Sequence, residues 1–144
     1  MTNPIPEGHH TVTPFLVVQD AARMIDFMKL AFAAHETFRM KSPDGRVAHA
    51  EVKIGDSIIM LGEAPEERSL KSMLHLYVPD CDAVYKSALA AGATSLREPA
   101  NQFYGDRSAG VTDFAGNQWW MATHMEDVSE QEMEKRMAAM AQAK

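Results

Sequence analysis

A strand-like run followed by a capped amphipathic helix occurs twice in this chain, sixty residues apart. The first copy is TPFLVV at 13–18, leading into QDAARMIDFMKLAFAA. Asp20 stands where a helix N-cap belongs, and Met24, Ile25, Met28, Ala31 and Phe32 recur behind it at helical spacing. The second copy is MLHLYV at 73–78, leading into PDCDAVYKSALAAGA. There Asp80 takes the cap position, Val84, Ala88 and Ala91 face inward, and Gly92 closes the helix. Val18, Asp20 and Met24 thus fall on Val78, Asp80 and Val84. The ends match at the same offset: KIGDSIIML at 53–61 overlays DFAGNQWWM at 113–121, so Met60 meets Trp120.

Each half has room for a hairpin between its helix and its final strand. In the first half ETFRM and RVAHAEVKI flank the turn SPDG, and Pro43-Asp44-Gly45 is turn chemistry. In the second, TSLRE and SAGVTD are weaker strands around NQFYGDR. Each half therefore reads β-α-β-β-β. Such a unit covers only one face of its sheet with a helix, and two side by side can curl into an open barrel around a cavity. The expected class is α+β, with modules at 9–62 and 72–124 and a C-terminal helix at 129–143, together one domain. That last helix has Ser129 and Glu132 as a capping box and a stripe of Met133, Met137 and Met140.

Composition excludes several classes. The 144 residues carry a net charge of −6 and no dense run of Lys and Arg, so nucleic acid is not an expected partner. No apolar run approaches the ~20 residues of a membrane span, and MTNPIPEGHH lacks the regions of a signal peptide. A cytoplasmic protein is expected, and the single cysteine, Cys81, fits a reducing compartment. Flanked by Asp80 and Asp82, Cys81 reads as a small residue at a helix start rather than as a nucleophile. GDRSAG has neither the P-loop lysine nor dinucleotide-fold spacing, and no G-x-S-x-G elbow supports a hydrolase triad.

Paired β-α-β-β-β modules with V-x-D before each helix resemble the vicinal oxygen chelate superfamily, which includes glyoxalases, extradiol dioxygenases and bleomycin-resistance proteins. The similarity is closer to its PhnB-like branch. It is carried by PFLVV, DAARMIDFMKLAF, DGRVAHAEVKIGDSIIML, LHLYVPDCDAV, AAGAT, NQFYGDR and DFAGNQWWMATHMEDVS, spanning roughly 9–130. The fold follows from the resemblance; a reaction does not, because the superfamily hosts many chemistries and some pure binders. This chain also departs from the branch: Phe27-Met28 replaces Phe-Tyr, and DFAGNQW loses a proline and places Asn117 where a histidine is usual.

In metal-using members the resemblance implies one His or Glu ligand on the first and last strand of each module. Those positions carry Thr13, Met60, Met73 and Trp120 here, and none of the four is a carboxylate or imidazole. Strand alternation supplies a second candidate set. Thr13, Phe15 and Val17 share a face with His49, Glu51, Ile58, Met60, Met73, His75, Tyr77, Gln118 and Trp120. The opposite face carries Leu16, Val18, Ala48, Ala50, Val52, Ile54, Ile59, Leu61, Leu74, Leu76, Val78, Trp119 and Met121. This second set is the apolar one and belongs under the helices, which leaves the first to line the cavity. His49, Glu51 and His75 could then converge as a shifted metal site, or serve as polar wall residues.

FYGDR has no counterpart in the first half on this alignment. Arg107 there could grip a carboxylate or phosphate, oriented by Asp106 or Glu51, or form a surface salt bridge. The expected function is a metal-free small-molecule binder, with no cofactor, built as a homodimer. Its planar ligand would lie among Thr13, Phe15, Met60, Met73, Tyr77, Tyr104 and Trp120, oriented by His49, Glu51, His75 or Arg107. The alternative is an enzyme: a divalent-metal lyase, isomerase or dioxygenase on His49, Glu51 and His75, or a metal-free proton-transfer enzyme with Glu51 as base.

Overall fold

The computed structural model describes residues 2–143. In chain order its elements are β1 (Phe15–Val18), α1 (Ala21–Phe32), β2 (His35–Lys41), β3 (Val47–Ile54), β4 (Ser57–Glu63), β5 (Met73–Tyr77), α2 (Cys81–Ala90), β6 (Thr94–Asn101), β7 (Asp106–Thr112), β8 (Gln118–His124) and α3 (Glu130–Gln142). A short 3-10 turn at Glu66–Arg68 joins the halves. The strands form two four-stranded sheets of identical order, β1-β4-β3-β2 and β5-β8-β7-β6. In each, the first strand runs parallel to the last, and the other pairs are antiparallel. Among the described residues no strand pair joins the two sheets, so the barrel stays open.

The repeat extends to details that the sequence alignment does not reach. In the first half the Glu63 carboxylate at the end of β4 accepts from the backbone N–H of Asp20 at 2.7 Å and of Ala21 at 3.0 Å. In the second half Thr123, on β8 at the same offset, accepts from Cys81 N–H at 2.8 Å and donates to the Val78 carbonyl at 2.8 Å. Each module's last strand therefore supplies the side chain that satisfies the orphan donors where its helix begins. The N-cap side chains of Asp20, Asp80 and Ser129 also accept from the residue three positions on, as the sequence predicts.

The apolar strand face lies under the helices, and it is shared between modules. Leu16, Ala50, Val52, Leu61, Trp119 and Met121 are all buried, with Met24, Ile25, Met28 and Phe32 of α1 against them. Trp119 of the second module packs on Phe32 at 4.8 Å and Phe27 at 6.3 Å between ring centroids, beneath the first module's helix. One position departs from the alternation. A register shift opposite Met40 and Lys41 turns Ala48 outward and buries Val47 instead.

FYGDR has a counterpart after all. The Gln102 N–H bonds the Asp106 carbonyl, and Gly105 N–H the Gln102 carbonyl, at 2.7 and 3.2 Å. Ser42, Gly45 and Arg46 make the same two bonds at 2.8 and 2.9 Å. Asp106 and Arg107 are therefore strand residues beyond a turn, hidden from the sequence alignment because Pro43-Asp44 and Phe103-Tyr104 share no chemistry.

Candidate functional site

The face of the two sheets that carries no helix is where chemistry-bearing side chains collect, and register arranges them in rows. In the first module Phe15, Met60, Glu51 and Phe38 lie side by side across β1, β4, β3 and β2. In the second, His75, Trp120, Gly110 and Arg97 lie across β5, β8, β7 and β6. These rows are the two halves of one repeat, and they have diverged.

The first row is apolar around one carboxylate. Glu51 accepts from His9 Nε2 at 2.6 Å, and its other oxygen lies 3.4 Å from His49 Nε2. The His49 ring stands 5.7 Å from Phe15 and 6.0 Å from Phe38, centroid to centroid. His9 comes from the segment ahead of β1, whose own turn carries a 3.0 Å bond from His9 N–H to the Pro6 carbonyl. Reasoning from strand and helix patterns misses His9, because a residue outside those elements has no periodicity to place it. The pair His9-His10, ahead of the strand-like run, is the available signal.

The second row is polar and aromatic. Trp120 lies flat on Gly110, where a Cβ would come within 2.6 Å of its ring. The Arg97 guanidinium carbon sits 4.9 Å from the Trp120 ring centroid, and Arg97 also donates to the buried Ser108 hydroxyl. His75 meets Tyr77 edge-on at 5.1 Å. Further along, the Tyr77 hydroxyl donates to Asp106 at 3.0 Å, and His124 Nδ1 contacts the same carboxylate at 2.8 Å while its Nε2 reaches Asp127 at 2.7 Å. Asp106 holds the Tyr77 hydroxyl above its ordinary range, with a smaller push from nearby Tyr104. Asp106 first and Asp127 second raise His124.

Between the rows, where β1 and β5 run past each other, lies a groove of about 400 Å³ lined by Pro14, Phe15, Ser72, Met73 and His75. A wider depression of about 660 Å³ sits at the outer edge of the molecule on β2, beside Lys29, Glu36 and Arg39. It is a polar surface hollow around an exposed ion-pair cluster, touching the first row only at its outer end, Phe38.

The structure corrects several placements expected from the sequence. Thr13 precedes β1 and donates to the His10 carbonyl, so Phe15 is the residue opposite Met60. Arg107 points to the helix side of β7, where it makes two bonds to Asp82 at 2.7 and 2.9 Å and one to Asn101 at 3.2 Å. Neither Asp106 nor Glu51 orients it. His75 stands in the second row, and the partner that Glu51 finds besides His49 is His9. Among the described residues, no three His, Cys, Asp or Glu side chains are placed to hold a metal ion. The resemblance places its ligand positions at Thr13, Met60, Met73 and Trp120. Register sets Phe15 rather than Thr13 opposite Met60 and His75 rather than Met73 opposite Trp120, which leaves one nitrogen donor among four. That donor set does not fit the superfamily's metal. Cys81 is buried, its thiol raised chiefly by that burial and then by Asp82.

Known proteins share this architecture. Residues 8–121 match the family model described as the Glyoxalase/Bleomycin resistance protein/Dioxygenase superfamily. An uncharacterized protein of Mycobacterium bovis is 36% identical over 140 residues, covering 89% of this chain and 92% of that protein. Among solved structures, TioX from Micromonospora superposes with a TM-score of 0.69 at 22% identity, over 81% of this chain and 99% of its own. The PhnB protein from Bacillus cereus superposes at 0.65 and 16%, over 79% of this chain and 99% of its own. At these identities the solved structures speak for the fold alone.

Proposed function

The chain belongs to the glyoxalase/bleomycin resistance protein/dioxygenase superfamily, and we propose that within it this protein is a PhnB-like, metal-free binder of a small planar organic molecule. The observation that carries this reading is the composition of the helix-free face. Phe15, Phe38 and Met40 are about half exposed there, and Met73 and Tyr77 are each 67% exposed. Polar groups stand among them at set places, chiefly Glu51 with its histidines in the first row and Arg97 in the second. The β1–β5 groove of about 400 Å³ is within the range that drug-sized ligands occupy.

A face that leaves this many large apolar side chains exposed calls for a cover. A second copy of the chain, related by a twofold axis, would turn the open face into an enclosed cavity, and the homodimer is part of the proposal. Glu51 as a proton-transfer base is the weaker reading, because His9 already occupies one of its oxygens. No helix among the described residues is long and apolar enough to cross a membrane, and the free thiol of Cys81 supports a reducing, cytoplasmic setting.

The two tryptophans make the test direct. Trp119 is sealed under α1, whereas Trp120 lies on the helix-free face. Titration with a panel of planar aromatic compounds should shift the indole N–H resonance of Trp120 saturably and leave that of Trp119 in place. A panel that moves neither resonance at millimolar concentration overturns the binding reading.

A further inference from the structure

We infer that the ligand is a planar aromatic monocarboxylate, and that Arg97 is the residue that recognises its charge. This rests on the binding reading above and names the chemistry of that same site.

Gly110 makes the arrangement possible. Arg97 belongs to β6 and Trp120 to β8, so β7 lies between them. Adjacent strands are ~4.8 Å apart, and any side chain on the intervening residue would block the approach. Gly110 occupies that place, and Trp120 rests directly on it. The indole therefore leans over β7 toward β6, and the Arg97 guanidinium sits over it, 4.9 Å from the ring centroid. The positive charge thus stands over β7 beside Ser108, about two strand spacings (~10 Å) from β5, a gap that a flat ring lying along Trp120 toward His75 would span. His75 in turn lines the groove between β1 and β5.

The charge so placed has no acid to answer it. Arg97 donates to the Ser108 hydroxyl and makes no ion pair among the described residues. By contrast, Arg107 and Arg136 are engaged by Asp82 and by Glu126 with Glu132. A guanidinium stacked flat on an aromatic ring keeps its donors at its edge, where they match the two oxygens of a carboxylate. The neighbouring surfaces are Trp120, His75, Phe15 and Met73, which suit a flat apolar body lying toward the groove. A monoanion is favoured over a dianion because the row offers one guanidinium, and the Asp106 carboxylate stands on the same face of β7. The first module's equivalent of Arg97 in its row is Phe38, so the recognition belongs to one half of the repeat.

The experiment compares 2-naphthoate with its neutral isostere 2-naphthamide, following the Trp120 indole N–H resonance on the intact protein. The acid should bind at least about tenfold more tightly than the amide, the scale of one charge-assisted bidentate contact. In Arg97→Gln that preference should vanish, while the unchanged Trp119 resonance shows that the variant is folded. Arg97→Lys should keep part of it, since charge remains but the planar fork is lost. Equal affinity of acid and amide for the wild type overturns the charge recognition and leaves the binding reading standing. A preference that persists in Arg97→Gln removes Arg97 from the role. Failure of both compounds to move Trp120 overturns this inference together with the reading beneath it.

Discussion

The indole N–H of Trp119 donates to the carboxylate of Asp113 at 2.8 Å, inside the protein and beneath a helix of the other module. The same carboxylate accepts from the backbone N–H groups of Ala115 and Asn117 and from the Asn117 amide, and the Asn117 oxygen accepts from Ser72 N–H at 2.8 Å. This network ties the last hairpin to the start of β5. It also accounts for Asn117 where the resembled branch has histidine: a buried amide can accept from Ser72 and donate to Asp113 at once. Replacing Asp113 with Ala would orphan several buried donors together. The expected loss is about 3–5 kcal/mol of unfolding free energy, read from urea midpoints. A loss under ~1 kcal/mol, the worth of a single ordinary hydrogen bond, would mean that the network is not what holds the hairpin.

Gly110 and Trp120 yield a second expectation. Adding a Cβ at Gly110 would place it 2.6 Å from two ring carbons of Trp120, closer than any real contact of that kind. The indole must lift, which breaks its stacking with Arg97. Gly110→Ala should cost about 1–3 kcal/mol through overpacking and move the Trp120 indole resonance without moving that of Trp119. An unshifted Trp120 resonance would show that the ring does not rest on the glycine.

The cluster of Asp106, His124 and Asp127 makes stability depend on pH in a definite direction. Its carboxylates raise the His124 imidazole above the ordinary 6.5, Asp106 contributing most. A histidine raised on folding stabilises the native state fully below its unfolded value, and that contribution is lost as pH rises through the raised folded value. The melting-temperature gap between the wild type and His124→Gln should therefore be widest near pH ~5.5 and close at mildly alkaline pH. A gap that widens with rising pH would reverse the assignment, as would an NMR titration of His124 with its midpoint below 6.5.

What the sequence could and could not convey follows from the range of each signal. The helices, their caps and the buried strand face are legible because they are periodic and because each is written twice. Met24, Ile25, Met28, Leu16, Val52 and Leu61 all lie where alternation and helical spacing put them. The site is less legible. Arg107 looks available in the sequence because its partner, Asp82, is twenty-five residues away on a helix, and no local pattern joins them. His9 is invisible for the opposite reason, as it sits in an irregular segment forty-two residues from Glu51. Arg97 lies in a strand whose alternation is broken by two register shifts, so its face cannot be read from spacing. Ala48 is misplaced by the same kind of bulge.

The proposed dimer turns on α3. No residue of that helix is fully buried against its own chain, and Glu132, Met133 and Arg136 are only partly covered. It is held by Arg136, which donates to the Phe103 carbonyl at 3.0 Å and pairs with Glu126 and Glu132. Met137 and Met140 are left 55% and 51% exposed, and the helix-free sheet face likewise keeps large apolar side chains in the open. Exposed ion pairs contribute little, on the order of 0–1 kcal/mol each, so polar contacts alone are a weak reason for an ordered helix of thirteen residues. In the proposed dimer, a second copy covering the methionines would supply the missing apolar burial. Light scattering at micromolar concentration should give a dimer of ~32 kDa, from two chains of 16.0 kDa. Truncation after Val128 should shift the equilibrium toward monomer while leaving the circular dichroism of the two modules and the buried Trp119 resonance intact. A one-chain mass for the intact protein would refute the pairing, and a truncated form that stays fully dimeric would take α3 out of the interface.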